Sequence, residues 1–241
     1  MIAHGISGTV KWTIDNDGVL FFEPINGKEG TFADTKDGSR EWQSYNKDIK
    51  QIKSHGTINL ATNSRLMFYG CSSLTTIDTL KNWNTHNVTN MSDMFQNCFS
   101  LTNLNALKSW NTQNVTDMSF MFCDCHSLSI PDTLKNWDTS SVIDMGYMFC
   151  GCTSLISIDA LKNWNTGNVI DMSSMFQSCS SLASLEELKD WDTSQVTTME
   201  SMFGSCLSLA NLSGLKNWNI NKVTDMDSMF RHCPFFVVFS S

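Results

Sequence analysis

From Trp83 onward the apolar positions fall into one phrase, Trp-Asn-Thr-x-Asn-Val-Thr-Asp-Met-Ser-x-Met-Phe-x-x-Cys-x-Ser-Leu, with small changes between copies. Its Trp returns at Trp110, Trp137, Trp164, Trp191 and Trp218, each 27 residues after the last (110 − 83, for example). Phe95, Phe122, Phe149, Phe176, Phe203 and Phe230 keep the same step, as do Cys98, Cys125, Cys152, Cys179, Cys206 and Cys233. No insertion separates these anchors. Within a copy, Met91, Met94, Phe95 and Cys98 stand at i, i+3, i+4 and i+7, which predicts one face of a short helix. The residue before that face is Asn90, then Asp117, Asp144, Asp171, Thr198 and Asp225. Each is a good helix cap, able to accept from free N–H groups of a first turn. Leu101, Leu104 and Leu107 follow and predict a short strand and its exit. Asn or Asp after every Trp predicts an Asx-type turn. Val115-Thr116 predicts a second short extended piece.

The pattern before residue 83 differs. Val10, Trp12 and Ile14 alternate with Lys11 and Thr13, Asp15-Asn16-Asp17-Gly18 turns the chain, and Val19 to Phe22 returns, which predicts a β-hairpin. Gly27 to Ser39 reads as loop. Trp42, Tyr45, Ile49 and Ile52 fall near helical spacing, although Ile49 to Ile52 reads equally as extended. Residues 56–82 are a degraded copy, with Met67-Phe68 and Cys71 in place but Gly56 for the Trp and Ala61 for the Val.

A fixed period of this length predicts an α/β repeat solenoid, one short strand and one short helical turn per coil. Ordering one coil costs more backbone entropy than its own apolar side chains return, so coils become stable only when stacked. The expected organisation is 1–55 as an N-terminal β-rich cap, 56–82 as a degenerate first coil, 83–233 as six repeats, and 234–241 as a C-terminal cap or truncation point. Within that last piece, Phe235 to Phe239 is short and apolar.

The repeat phrase resembles the bacterial surface-protein repeat of about 26 residues, related to BspA-like leucine-rich repeats. Gly8 to Ile14 and Asp17 to Leu20 are similar to the hairpin that often precedes such repeats. The resemblance covers nearly the whole chain. It implies a leucine-rich-repeat-like solenoid on a cell surface, or secreted, often engaged in adhesion to a protein of a host or neighbouring cell. It carries over no catalytic or ligand-binding residue. The chain departs from the pattern in its 27-residue step and at Ile130-Pro131, where one Leu position shifts.

Composition narrows the partners. The net charge of −8 argues against nucleic acid or an anionic membrane as a partner. No stretch approaches the ~20 apolar residues of a membrane span, so membrane insertion is not expected. The opening Met1 to Gly8 has no basic segment followed by an apolar run, so either the protein is cytoplasmic or a signal has been removed. Nine cysteines are an odd number. Seven, counting Cys71, lie on the 27-residue ladder and read as small buried hydrophobes.

Candidate chemistry is sparse. The acidic column reads as caps rather than calcium sites, and the methionine rows as core rather than a copper site. The five histidines show no nucleophile or metal pattern, and no phosphate-cradling glycine loop is present. No enzyme and no cofactor are expected. A solenoid binds through variable positions on a constant frame. One variable column reads Asp93, Phe120, Tyr147, Ser174, Ser201, Ser228, and another Gln96, Cys123, Cys150, Gln177, Gly204, Arg231. Phe120, Tyr147, Cys123 and Cys150, with Phe99 and His126 nearby, form the candidate binding patch. Cys123 and Cys150 are also a candidate inter-coil disulfide. Cys123, Cys125, Cys150 and Cys152 make a weaker zinc candidate, because two of them belong to the core ladder. Lys81, Lys108, Lys135, Lys162, Lys189 and Lys216 form a column that either fans into solvent or docks an acidic partner. The expected function is a surface adhesion or protein-binding module, with a structural spacer as the alternative.

Overall fold

The structure is a computed structural model and describes residues 1–130 and 132–234. The apolar Phe235 to Phe239 of the expected C-terminal cap or truncation point, and the shift at Pro131, lie outside the described residues.

The head is a small sheet. Strands β1 (Ala3–Ser7), β2 (Val10–Ile14) and β3 (Val19–Pro24) form an antiparallel meander. Asp15 Oδ1 accepts from the N–H groups of Asp17 and Val19, which closes the β2–β3 turn. Gly18 completes it at φ +81°. The glycine-rich segment expected as loop contains β4 (Glu29–Thr31). The ambiguous stretch after it divides into a 3₁₀ helix over Glu41–Asp48 and strand β5 (Gln51–Ser54), which pairs in parallel with β3. Strand β4 pairs in parallel with β6 (Thr57–Asn59), and β6 with β7 (Trp83–Asn84).

Beyond the head the coils stack in register. Parallel bridges run Asn63 to Asn90, Asn90 to Asp117, and on through Asp144, Asp171 and Thr198 to Asp225. At ~4.8 Å per parallel neighbour, these six steps span roughly 29 Å. Inside, Phe68, Phe95, Phe122, Phe149, Phe176, Phe203 and Phe230 stack ring on ring at centroid spacings of 5.4–5.8 Å.

The expected helix per coil is not there: no α-helix occurs among the described residues. Met91, Met94, Phe95 and Cys98 do point inward, each fully buried. They do so on consecutive turns. Met94 N–H donates to Met91 O, Gln96 N–H to Asp93 O, and Cys98 N–H to Phe95 O. The alternate N–H groups leave the coil: Met91 donates to Asp117 O, Asp93 to Ser119 O, Phe95 to Met121 O and Asn97 to Cys123 O. An α-helix would keep all of these bonds within the coil. Two left-handed residues per coil, Asp93 (φ 57°) and Asn97 (φ 62°), allow the turns to follow one another. The leucine run is likewise not a strand. In the coil from Trp83, residues Asn105–Ser109 form a 3₁₀ helix, with Leu107 N–H donating to Leu104 O.

Because each coil donates toward the next, the first coil presents carbonyls with no coil before it. Head side chains meet them. Arg40 Nη2 donates to Asn63 O at 2.7 Å, Trp42 Nε1 to Met67 O at 2.8 Å, and Asn46 Nδ2 to Tyr69 O at 3.3 Å. In the next coil the matching carbonyls of Asn90, Met94 and Gln96 accept backbone N–H groups instead. Trp42→Phe keeps most of the buried ring but leaves Met67 O without its donor. We expect a stability loss of about 1–3 kcal/mol by urea denaturation. An unchanged midpoint would show that the bond contributes nothing.

Candidate functional site

The variable columns lie where the turns face outward. Phe120 and Tyr147 both occupy the first left-handed position of their coils, at φ 56° and 59°. Their rings stack with centroids 4.4 Å apart and planes within 6°. Both are half-buried, and their column neighbours Asp93 and Ser174 are buried. Asp93 is held by Arg65, whose Nε lies 2.8 Å from Asp93 Oδ2. A shallow groove of about 420 Å³ runs beside Phe120, floored by Asn90, Ser92, Asp117 and Ser119.

Phe99 and His126 lie one turn further along and also stack, with centroids 4.9 Å apart and planes within 4°. Both are exposed, and His126 Nε2 sits 3.5 Å from Asp124 Oδ1. Cys123 and Cys150 form the third pair. Cys123 is only 5% exposed, so it does not belong to an exposed patch, whereas Cys150 is partly accessible. Both thiols are free. The six candidate residues thus fall into three pairs, each made of equivalent positions 27 residues apart on neighbouring coils. The exposed aromatic pair is Phe99 and His126, while Phe120 and Tyr147 are half-buried.

The zinc set does not converge on one site. Cys125 and Cys152 are buried, and their thiols donate to Phe95 O and Phe122 O. Among the described residues no group of three His, Cys, Asp or Glu could hold a metal ion. The lysine column lies along one edge of the stack. Lys189 Nζ pairs with Glu186 Oε1 at 3.2 Å.

The acidic column does not cap helices: among the described residues, each member is followed directly by linked turns. Its oxygens close Asx turns: Asp117 Oδ1 accepts from Ser119 N–H and Oγ–H, as Asn90 does from Ser92 and Asp171 from Ser173. Asn90 Nδ2 also donates to Asp117 Oδ2 at 3.0 Å, tying two coils. Asp225 receives Asp227 N–H at 2.9 Å, and Thr198 Oγ1 receives Glu200 N–H at 3.4 Å. Asp144 likewise receives only an N–H, from Gly146, which has no side chain to add a second bond. Burial, and then the carboxylates of Asp171 and Asp117, push its pKa up to about 6, against the pull of the Gly146 N–H.

A second surface went unread in the sequence. Ile143 and Ile170 are exposed beside a shallow groove of about 560 Å³, with Ser140, Gly167 and Asn168 around them. The available signal was a column of threonines, Thr89, Thr116, Thr197 and Thr224, broken by two adjacent isoleucines.

A family model described as "Mycoplasma protein of unknown function, DUF285" matches residues 39–155 and 124–238. No curated protein sequence matches the chain. Among solved structures, it is similar to a leucine-rich repeat protein from Eubacterium ventriosum at 12% identity and a TM-score of 0.33, covering 99% of this chain and 97% of that one. It is also similar to a leucine rich cell surface protein from Faecalibacterium prausnitzii at 14% identity and a TM-score of 0.27, covering 96% and 86%.

The Asp144 environment sets a pH dependence. Its folded pKa is raised above the ordinary 3.8, so the folded state holds the proton more tightly than the unfolded chain. Its contribution to stability is therefore full below pH 3.8 and is lost as pH rises toward about 6. Asp144→Asn keeps an acceptor for Gly146 N–H and removes the charge. We expect stability at pH 7 to rise by on the order of 1 kcal/mol. The slope of stability between pH 4 and 6 should flatten, as followed by thermal unfolding across pH. A steeper slope in the variant would contradict the assignment.

Proposed function

We propose that this chain, which belongs to the DUF285 family of Mycoplasma proteins of unknown function, is a protein-binding module of a bacterial cell surface. It is built as a leucine-rich-repeat-like solenoid and recognises its partner through side chains displayed on the outward turns. The paired aromatics carry this reading. A left-handed backbone costs a non-glycine residue roughly 1–2 kcal/mol, and bulky side chains suit it least. Other coils fill the Phe120 position with Leu66, Asp93, Ser174, Ser201 and Ser228, none of them aromatic. Two aromatics on adjacent coils are an exception to that local preference. Stacked aromatic faces on a rigid support lose little side-chain entropy on binding, which is why such residues anchor interfaces. The chain is surface-displayed or secreted in this reading, and its partner is a protein of a host or neighbouring cell. No catalysis, cofactor, nucleic acid or membrane insertion enters it.

The unbroken run of parallel bridges from Asn63 to Asp225 favours a second reading, a rigid spacer that holds another domain away from the cell. The two readings separate experimentally. Immobilised protein is exposed to host matrix and serum proteins, and the captured protein is titrated against Phe120→Ala/Tyr147→Ala. A module of the proposed kind loses at least tenfold in affinity, while its unfolding midpoint falls less than that of Phe149→Ala in the core. Capture of nothing specific, or equal capture by the variant, would favour the spacer.

A further inference from the structure

Of nine cysteines, seven form the buried ladder; Cys123 and Cys150 do not. They occupy the same outward-turn position in adjacent coils. Asp124 N–H donates to Cys150 O at 2.7 Å, which fixes the two backbones at strand spacing. In-register parallel neighbours lie ~4.8 Å apart, inside the ~4.4–6.8 Å between Cα atoms that a disulfide accepts. In the reduced chain the Cys123 S–H donates to Asp124 Oδ2 and the Cys150 S–H to Gln177 Oε1, each at 3.8 Å, so neither thiol is tied to a core carbonyl as the ladder thiols are. We propose that Cys123 and Cys150 are a redox-active dithiol that closes into an inter-coil disulfide on meeting a low-molecular-weight disulfide.

The geometry assigns the two roles. Cys150 is partly accessible and Cys123 is buried, so only Cys150 meets an incoming disulfide first. The Cys123 S–H stabilises a Cys150 thiolate and lowers its pKa, against the opposing effects of burial and Asp124. Cys150 sulfur attacks one sulfur of the small disulfide, forming a mixed disulfide and expelling one thiolate. Cys123 then gives up its proton and attacks the Cys150 sulfur, expelling the second thiolate. The protein loses two electrons and two protons, and the small disulfide becomes two thiols. The ladder thiols do not compete. They are buried, and those of Cys98, Cys125, Cys152, Cys179, Cys206 and Cys233 donate to a phenylalanine carbonyl of the preceding coil. Burial raises the pKa of each.

The bond would join two defined turns. Cys123 N–H closes the turn onto Phe120 O, and Cys150 N–H closes the turn onto Tyr147 O, both at 3.0 Å. Oxidation would thus tie together the two turns that carry the stacked aromatics. The thiol chemistry stands whether or not those aromatics bind a partner.

The test treats the reduced full chain, still folded, with oxidised glutathione and follows intact mass and disulfide-linked peptides. The expected result is a loss of two hydrogens, a Cys123–Cys150 cross-link, unmodified ladder cysteines, and a higher unfolding midpoint that falls again on reduction. Cys123→Ser should hold glutathione on Cys150, and Cys150→Ser should take up none. An unchanged mass, a persistent glutathione adduct on the unsubstituted chain, or a cross-link through a ladder cysteine would overturn the proposal.

Discussion

Alternate backbone N–H groups along the Met-Met-Phe-Cys stretch bond to the neighbouring coil, and the rest of the structure depends on that alternation. The N–H groups of Met91, Asp93, Phe95 and Asn97 donate across to the next coil, and those of Met94, Gln96 and Cys98 close turns within their own coil. One extra residue in this stretch of a single coil would exchange the two sets. It would turn a buried ring outward and leave backbone groups without partners on both sides. This is the physical reason that Trp, Phe and Cys recur without insertion.

The constant polar residues belong to the same ladder. The indole N–H of Trp110, Trp137, Trp164, Trp191 and Trp218 reaches a leucine carbonyl of the preceding coil at 2.9–3.1 Å. Thr85, Thr112, Thr139, Thr166 and Thr193 reach forward, each hydroxyl donating to a carbonyl of the next coil at 2.9 Å. Trp, Cys and Thr thus fill the interior while satisfying carbonyls that burial would leave costly. The head ends the ladder with side chains. Arg40, Trp42 and Asn46 replace backbone donors that a preceding coil would have supplied.

The outward turns are where the side chains vary. Their backbone is held from both sides by the ladder, so a side chain there can change without altering the coil. The same support lets Phe120 and Tyr147 keep a backbone conformation their own side chains disfavour. It also places Cys123 against Cys150 and Ile143 beside Ile170, since any two residues 27 apart become neighbours across the stack.

The sequence by itself determined the period, the inward set, the hairpin of the head and the stacked pairs. These follow from spacing alone, because inward side chains repeat with the coil whatever path the backbone takes between them. It did not determine that path. Residues at i, i+3, i+4 and i+7 face one side of a helix, and they face one side of linked turns equally well. Only the stack decided between them, by offering every second N–H a partner in the next coil. For the same reason the Asp column reads as helix caps in one dimension and closes Asx turns in three. Burial was equally a tertiary decision: Cys123 and Cys150 share a column, yet only Cys150 reaches solvent, because exposure depends on what the adjacent coils lay over each thiol.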